Sequence, residues 1–316
     1  MAALVSSCAA VTAAALLAAP ATASVRSGAP AATVQSPPGL PGAVVALGDS
    51  YSSGLGAGGY EDDCDRTPRA WAMQVFGDAV TERTLLACSG AEIPQVRRQV
   101  DRLAAMAGDA GDRLVTVTVG GNDIGFADEL VNCLTPFVSC LDREPVIAGR
   151  IDALHDPLVE LYDDVQAAAP GDEVIVGGYP MLVPDPSVRS DCSALTGLLS
   201  APERRMIRRL GVELNDAVDA AAAEAGVGSA ATELEQVFDG HEACDNESGD
   251  WLYGLKLSWP YGAQAPGLDR RSPAPQPESA EARWDVLAGF VSDSFHPNRA
   301  GQAGYATAFE RAWFSG

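Results

Sequence analysis

The sequence predicts an α/β protein with a mostly parallel sheet covered by helices on both faces. Short apolar, strand-like runs alternate along the chain with longer segments in which apolar residues recur every three or four positions. The chain has 316 residues, which is enough for one large domain with a sizeable core. Together, the alternation and the length indicate a domain built from repeated strand–helix units.

Five short runs rich in apolar or β-branched residues are predicted as strands. They are VVALG at 44–48, ERTLLAC at 82–88, RLVTVTVG at 113–120, DEVIVGG at 172–178 and GSAATELEQV at 228–237. Helical spacing of apolar residues predicts helices over 68–76, 93–107, 144–169, 201–225 and 298–314. Residues 249–281 break this rhythm with five prolines, and a long irregular loop of this kind is usually functional or mobile.

The N-terminus indicates export. Residues 1–23 are apolar and alanine-rich and end in Ala-Thr-Ala, which predicts a signal peptide, although the first positive charge is only at Arg26. Residues 24–42 are rich in Pro, Gly, Ala and Ser and are predicted as a flexible linker, followed by one folded domain over 43–316. No later segment has 18 consecutive apolar residues, so we expect no integral membrane segment and a secreted protein.

The charge balance excludes several classes of partner. The formal net charge is -22 and the pI is about 4.3, which argues against binding to nucleic acid or to an anionic membrane. The alternative is that this charge reports on solubility alone. Neither a G-x-x-x-x-G-K-[ST] loop nor a G-x-G-x-x-G turn after a strand occurs, so no phosphate-binding loop is predicted.

The cysteines agree with export. Cys8 lies in the predicted signal peptide, and an even number in an exported chain suggests disulfides. Six cysteines allow 15 pairings, among which the sequence does not choose. The simplest expectation joins neighbours: Cys64 with Cys88, Cys133 with Cys140, and Cys192 with Cys244. A structural zinc site is disfavoured because no C-x-x-C pair exists.

The first strand raises a chemical question, because AVVALGDSYSSG (43–54) ends by presenting Ser50. In open α/β sheets, ligand sites form at the carboxyl ends of the strands. A lone serine there is most often a turn or helix-cap residue. A nucleophilic role requires a base, a group that orients the base, and donors for a developing oxyanion.

Only three histidines can supply the base. His155 lies in a predicted helix and His241 lies in a loop beside a cysteine, so both are expected to be structural. His296 precedes the last helix, and Asp293 stands three residues upstream of it. One turn of chain could place that carboxylate against Nδ1 of the imidazole and fix its tautomer. The D-x-x-H spacing is weak in isolation, because such pairs also cap helices.

Two further strand ends offer donors. VTVGGND (117–123) ends in Asn122, whose side-chain amide can donate to a negative oxygen, and LLACSGAE (85–92) places the N–H of Gly90 after another strand. The Ser50 N–H would be a third donor. The alternative for each glycine is an ordinary turn.

These four stretches together resemble the motifs of the SGNH (GDSL-type) hydrolases, in family order and over roughly residues 44–314. The resemblance implies a flavodoxin-like three-layer α/β/α sandwich. It also implies that Ser50 is the nucleophile, that His296 is the base oriented by Asp293, and that the Ser50 amide, Gly90 and Asn122 form the oxyanion hole. Six cysteines after an export signal suggest the branch of secreted bacterial lipases and esterases with three disulfides.

Two departures from the pattern are visible. Tyr51 stands where the motif has leucine, and in some members of the branch a backbone carbonyl replaces the carboxylate, so the orientation of Asp293 is open. The α/β-hydrolase fold fits less well, because no G-x-S-x-G elbow occurs.

The implied reaction is hydrolysis of an acyl ester through an acyl-enzyme, with no metal or organic cofactor. The acidic run Glu61 to Asp65 could bind calcium, but a solvated acidic loop is the expected reading. We expect a monomer that acts on a lipid or other small-molecule ester. The alternatives are a carbohydrate O-acetyl esterase and a non-catalytic secreted binding module on the same scaffold.

The loop from Trp251 to Pro266 could wall a groove for an acyl chain. Ordinary packing of a disulfide-tied loop is the equal alternative. The apolar residues concerned are Leu252, Tyr253, Leu255, Leu257, Trp259 and Tyr261.

Overall fold

The computed structural model describes residues 39–106, 111–133, 139–192, 198–245, 248–254 and 293–315. Residues 37–316 form one compact unit. The predicted signal peptide, most of the predicted linker, and residues 255–292, which include most of the irregular loop, lie outside the described ranges. The domain boundaries at residues 23 and 42 therefore stay predictions.

A five-stranded parallel sheet forms the centre of the molecule, in the order β2-β1-β3-β4-β5. Its register places Val45 of β1 opposite Thr84 of β2 and Val115 of β3. Helices cover both faces, so β3 is buried along its whole length and its sequence, RLVTVT, is rich in the β-branched residues Val and Thr. The strands are β1 Ala43–Gly48, β2 Glu82–Leu85, β3 Arg113–Thr118, β4 Glu173–Gly177 and β5 Gly228–Ser229.

The helices form two layers, one on each face of the sheet. The described helices are α1 Ser50–Ser53, α2 Ile93–Ala105, α3 Phe126–Cys133, α4 Glu144–Asp152, α5 His155–Ala168, α6 Ala201–Ala225, α7 Ala231–Phe238 and α8 Arg299–Ser315. α5 packs between α2 and α6, and α7 packs on α8. The crossovers from β2 to β3, from β3 to β4 and from β4 to β5 all run the same way along the sheet, so right-handed connections put α2, α4, α5 and α6 on one face. The crossover from β1 to β2 runs the other way, and its 3-10 turn at Trp71–Met73 contacts α8 on the opposite face. This arrangement confirms the predicted three-layer α/β/α sandwich.

The fifth predicted strand, 228–237, is wrong beyond its first two residues. β5 ends at Ser229, and α7 begins at Ala231. Ala231, Leu234 and Phe238 are buried at the spacing of one helix face, and the segment is rich in the helix formers Ala, Leu, Glu and Gln. Helical period and propensity therefore outweigh the apolar content that suggested a strand.

The helix predicted over 144–169 is two helices, α4 and α5. Pro157 has no N–H and is tolerated only in the first turn of a helix, where that group has no intrahelical partner. A new helix starting at His155 puts Pro157 in such a turn. The segment 68–76, also predicted as a helix, contains only a 3-10 turn at Trp71–Met73.

Three disulfide bonds join Cys64 to Cys88, Cys133 to Cys140 and Cys192 to Cys244. Each bond links cysteines that are neighbours in the order of the chain. No helix in the described parts of the chain combines the length and the apolar character needed to cross a membrane.

Candidate active site

The carboxyl end of β1 lies against β3 because its last residue is a glycine. Gly48 has φ +127°, and a Cβ there would lie 2.3 Å from the carbonyl oxygen of Thr118. The side chain of Gln99 from α2 completes the strand end: its Oε1 accepts from the Gly48 N–H at 2.7 Å and its Nε2 donates to the Gly48 carbonyl at 2.9 Å. This arrangement fixes the point at which the chain leaves the sheet for Ser50.

Asp49 caps the short helix α1 that follows. Its Oδ1 accepts from the Tyr51 N–H at 3.0 Å and from the Thr118 hydroxyl at 2.8 Å, and its Oδ2 accepts from the Tyr179 hydroxyl at 2.5 Å. Burial raises the pKa of this carboxyl to about 6, against the lowering effect of these hydrogen bonds. The cap holds Ser50 as the first residue of α1, at the carboxyl edge of the sheet.

Ser50 meets a histidine 246 positions away in the chain: its Oγ lies 2.8 Å from Nε2 of His296. The other ring nitrogen, Nδ1, lies 3.0 Å from the backbone carbonyl oxygen of Ser294. An Nδ1–H that donates to this carbonyl leaves Nε2 as an acceptor for the serine proton. Oδ1 of Asp293 accepts from the Tyr60 hydroxyl at 3.1 Å.

The histidine segment is held by contacts that the motifs do not mark. The Tyr51 hydroxyl donates to the Phe295 carbonyl at 2.8 Å, and the Tyr51 ring centroid lies 5.0 Å from that of His296. Phe295 has φ +61°, a conformation uncommon in non-glycine residues. The backbone of Tyr253 also holds this segment: its carbonyl accepts from the Phe295 N–H at 2.8 Å, and its N–H donates to the His296 carbonyl at 3.1 Å. Tyr51, which departs from the family motif, thus supports the histidine.

Ser50, Gly90 and Asn122, the three predicted oxyanion donors, line one cavity together with His296. Nδ2 of Asn122 donates one hydrogen to the Ala91 carbonyl at 3.0 Å, which leaves its second hydrogen available. Among the described residues, the backbone N–H groups of Ser50 and Gly90 have no protein acceptor. Three residues that line the cavity therefore each retain an N–H hydrogen without a protein acceptor among the described residues.

The Cys64–Cys88 disulfide fixes the loop that carries Gly90. The Ser89 N–H donates to the Cys64 carbonyl at 3.1 Å, and the Cys88 N–H donates to the Gly48 carbonyl at 3.0 Å. The covalent bond and these two hydrogen bonds tie the donor at Gly90 to the end of β1, where the serine lies.

The cavity has a volume of about 390 Å³ and an apolar end that the sequence reading missed. Five side chains from α3, α6 and the segment after β4 line that end: Phe126, Leu130, Leu182, Ile207 and Leu214. A signal was available on α6, where Ile207 and Leu214 flank Gly211 on one face. A glycine in a helix interior costs about 1 kcal/mol relative to alanine. Gly211 therefore indicates a position at which a larger side chain would be unfavourable.

Of the predicted acyl groove at Trp251–Pro266, the structure describes only residues 251–254, and none of these four lines the cavity. Trp251 stacks on His241 at 3.8 Å, Leu252 is fully buried, and Tyr253 pairs with the histidine segment. Leu255, Leu257, Trp259 and Tyr261 lie outside the described residues.

The two remaining histidines lie away from the cavity. Nδ1 of His155 lies 3.1 Å from Asp156 at the start of α5, and Nδ1 of His241 lies 2.7 Å from the Gly249 carbonyl. Within the described ranges no group of three or more His, Cys, Asp or Glu side chains is arranged to hold a metal ion. In the acidic run, the Asp62 carboxylate accepts from Nε of Arg66 at 2.7 Å.

Comparisons with known proteins agree with this geometry. Residues 46–303 match the model of the GDSL-like lipase/acylhydrolase family. A lipase from Streptomyces rimosus is 35% identical over 67% of this chain and 76% of its own length, and Lipase 1 from Streptomyces coelicolor is 31% identical over 87% and 88%.

Two solved structures are similar at 30% identity. The extracellular lipase of Streptomyces rimosus has a TM-score of 0.63, with 85% of this chain and 99% of that chain covered. Phospholipase A1 of Streptomyces albidoflavus NA297 has a TM-score of 0.65, with 86% and 100% covered. The family match spans the strand ends that carry the serine, both loop donors and the histidine, and the chain belongs to the GDSL-like lipase/acylhydrolase family.

Proposed function

We propose that this chain is a secreted carboxylic ester hydrolase of the lipase type, with Ser50 as nucleophile and His296 as general base. One observation carries the proposal: the Ser50 Oγ lies 2.8 Å from Nε2 of His296, in a cavity that Gly90 and Asn122 also line. This is the hydrogen-bonded nucleophile–base pair that serine acyl transfer requires.

In acylation, Nε2 of His296 takes the Ser50 proton while Oγ bonds to the ester carbonyl carbon. The carbonyl oxygen becomes negative and accepts from the N–H groups of Ser50 and Gly90 and from Nδ2 of Asn122. The intermediate then collapses, the bond to the alkoxy oxygen breaks, and His296 returns the proton to the leaving alcohol. Each donor is worth about 10²–10³ in turnover, by analogy with other oxyanion sites.

Deacylation repeats these steps with water. His296 takes a proton from water, whose oxygen attacks the acyl carbon, and the proton then passes to Oγ of Ser50 as the acid leaves. With the ester in the first half and one water molecule in the second, both halves of the reaction balance.

Two groups are candidates for orienting the imidazole. The Ser294 carbonyl, 3.0 Å from Nδ1, supports a role in fixing the tautomer, and the nearby Asp293 carboxylate is proposed to stabilise the imidazolium charge. Asp293→Asn should therefore lower kcat less than about tenfold, whereas loss of the sole orienting carboxylate in a triad costs about 10⁴. A loss near the larger figure would give the orienting role to Asp293 instead.

The apolar end of the cavity supports an acyl chain longer than acetyl. Its five apolar side chains can remove methylene groups from water, and each buried methylene contributes about 0.8 kcal/mol. The lipase and phospholipase A1 names of the relatives fit esters of such chains.

The test is turnover of p-nitrophenyl esters from acetate to palmitate by the wild type, by Ser50→Ala and by the matched control Ser187→Ala at an exposed serine. We expect kcat/KM to rise with chain length beyond acetate. Ser50→Ala should lower kcat by about 10⁴-fold or more, and the control should not. Preference for acetate would favour carbohydrate deacetylation. The absence of serine-dependent turnover on any of these esters would favour a binding module.

Export and the monomeric state belong to the same proposal. Three disulfides and the extracellular lipase among the similar structures support an oxidising, extracellular location. N-terminal sequencing of protein from the culture medium tests cleavage after residue 23, and light scattering tests the monomer.

A further inference from the structure

We propose that Tyr179 is a positioning residue for the oxyanion site: its hydroxyl connects the residue before the nucleophile to the residue before Asn122. Tyr179 follows β4 and lies outside all four family motifs. The inference rests on the proposed function, because it assigns Tyr179 a role in the oxyanion site described there.

The tyrosine backbone is held in one place by α6. Oδ1 of Asn215 accepts from the Tyr179 N–H at 2.8 Å, and Nδ2 of Asn215 donates to the Tyr179 carbonyl at 2.8 Å and to Glu235 at 2.7 Å. The approach is so close that a Cβ at Gly178 would lie 2.5 Å from Oδ1 of Asn215. The Tyr179 ring packs edge-on against Tyr51, with centroids 5.0 Å apart.

The hydroxyl of this fixed side chain makes two hydrogen bonds. It donates to Oδ2 of Asp49 at 2.5 Å and accepts from the Gly121 N–H at 3.1 Å. A tyrosine hydroxyl has one hydrogen to donate, and that hydrogen is committed to Asp49. Asp49 and Tyr179 are both buried, so loss of the hydroxyl would take one hydrogen bond from the Asp49 carboxyl and one from the Gly121 N–H.

The two partners define the geometry of the site. Asp49 caps α1 and so fixes the Ser50 N–H, while Gly121 is bonded directly to Asn122. One hydroxyl therefore links the residue beside the donor on the β1 side to the residue beside the donor on the β3 side, in addition to the strand pairing and the Thr118–Asp49 hydrogen bond. Such donors stabilise an oxyanion only when they are already aimed at the place where its charge develops. Tyr179 touches neither of these donor atoms, so its effect passes through Asp49 and Gly121.

The first test is Tyr179→Phe, which keeps the ring and removes the hydroxyl. We expect kcat on the preferred p-nitrophenyl ester to fall about 10- to 100-fold while KM stays within about twofold. The reason is that the Ser50 N–H and the Asn122 amide would no longer point at the oxyanion, whereas the apolar side chains that bind the acyl chain are unchanged. Tyr162→Phe, at a buried tyrosine of α5, is the matched control and should keep wild-type kcat.

A second readout separates positioning from general damage. An alkyl trifluoromethyl ketone forms a hemiketal with Ser50 whose oxyanion needs the donors, whereas the corresponding alkyl alcohol does not. In Tyr179→Phe the Ki of the ketone should rise by the factor by which kcat/KM falls, and the Ki of the alcohol should not change. Equal rises in both Ki values, or a kcat within twofold of wild type, would overturn the inference.

A double-mutant cycle with Asp49→Asn tests the proposed link. If Tyr179 acts through Asp49, the double variant loses less activity than the product of the two single losses. Independent, multiplicative losses would count against the link. If Ser50→Ala were as active as the wild type, the proposed function itself would fail. If Ser50→Ala is inactive and Tyr179→Phe is unaffected, only this inference fails.

Discussion

Removing the Cys64–Cys88 disulfide should weaken both the fold and the reaction, and the structure allows each loss to be sized. The bond closes a loop of sequence separation 24, for which the chain-entropy model gives about 3.5 kcal/mol of stabilisation. It also joins the loop that carries Gly90 to the segment at Cys64, beside the hydrogen bond from the Cys88 N–H to the Gly48 carbonyl at the end of β1. Misplacement of a group by about 1 Å can cost about 10²-fold in rate, so we expect kcat to fall about 10- to 100-fold.

The matched control is the Cys192–Cys244 disulfide, which closes a longer loop of separation 52 away from the oxyanion donors and is worth about 4 kcal/mol in the same model. Double Cys→Ala variants of each bond are compared by urea unfolding and by turnover of p-nitrophenyl acetate. The control variant should lose more stability but keep kcat within twofold of the wild type. The Cys64–Cys88 variant should lose less stability but more kcat. Equal kcat losses in the two variants would refute the assignment of the Cys64–Cys88 bond to the donor loop.

Three further outcomes follow from the contacts of the site. Tyr51→Phe leaves the buried Phe295 carbonyl without its partner and should lower the free energy of unfolding by about 1–3 kcal/mol in urea titrations. Ile207→Trp fills the apolar end of the cavity, so kcat/KM for p-nitrophenyl palmitate should fall at least about tenfold relative to acetate; an unchanged profile would place the acyl chain elsewhere. The pKa of Asp49 rises from 3.8 to about 6 on folding, so the native state binds the extra proton between those values. The Asp49 contribution to the free energy of unfolding, measured against Asp49→Asn, should therefore fall by about 3 kcal/mol in total as the pH rises from about 3 to about 7, with most of the fall between about pH 4 and about pH 6.

The order of strands and helices was predictable because each signal is local. The apolar run at 44–48 and the amphipathic pattern at 201–225 correspond to β1 and α6. The prediction failed at 228–237, where a strand of two residues passes directly into a helix and no periodic pattern can develop before the change. It also overlooked that Pro157 requires a new helix start.

The site was only partly readable from the sequence. Ser50, Gly90 and Asn122 follow from motifs that mark strand ends, which parallel strands bring to one edge of the sheet. His296 follows from the D-x-x-H motif just before the last helix. The Ser294 carbonyl could not be found in this way, because a backbone group leaves no residue-type signal.

The hydroxyl contacts were beyond sequence reading for a different reason. Tyr179 lies 130 positions from Asp49, and Tyr51 lies 244 positions from Phe295. Neither pair has a spacing that predicts contact, and a single chain gives no other sign of which distant groups meet. These contacts depend on the packing of whole elements.

The measurement that tests the account most directly is covalent labelling by a fluorophosphonate, read by peptide mass spectrometry in the wild type and in His296→Ala. The Ser50 hydroxyl, activated by the imidazole 2.8 Å away, should carry a single adduct in the wild type, and the variant should label far more slowly. An adduct on a different residue that accompanies complete loss of esterase activity, or equal labelling rates with and without the imidazole, would contradict the account.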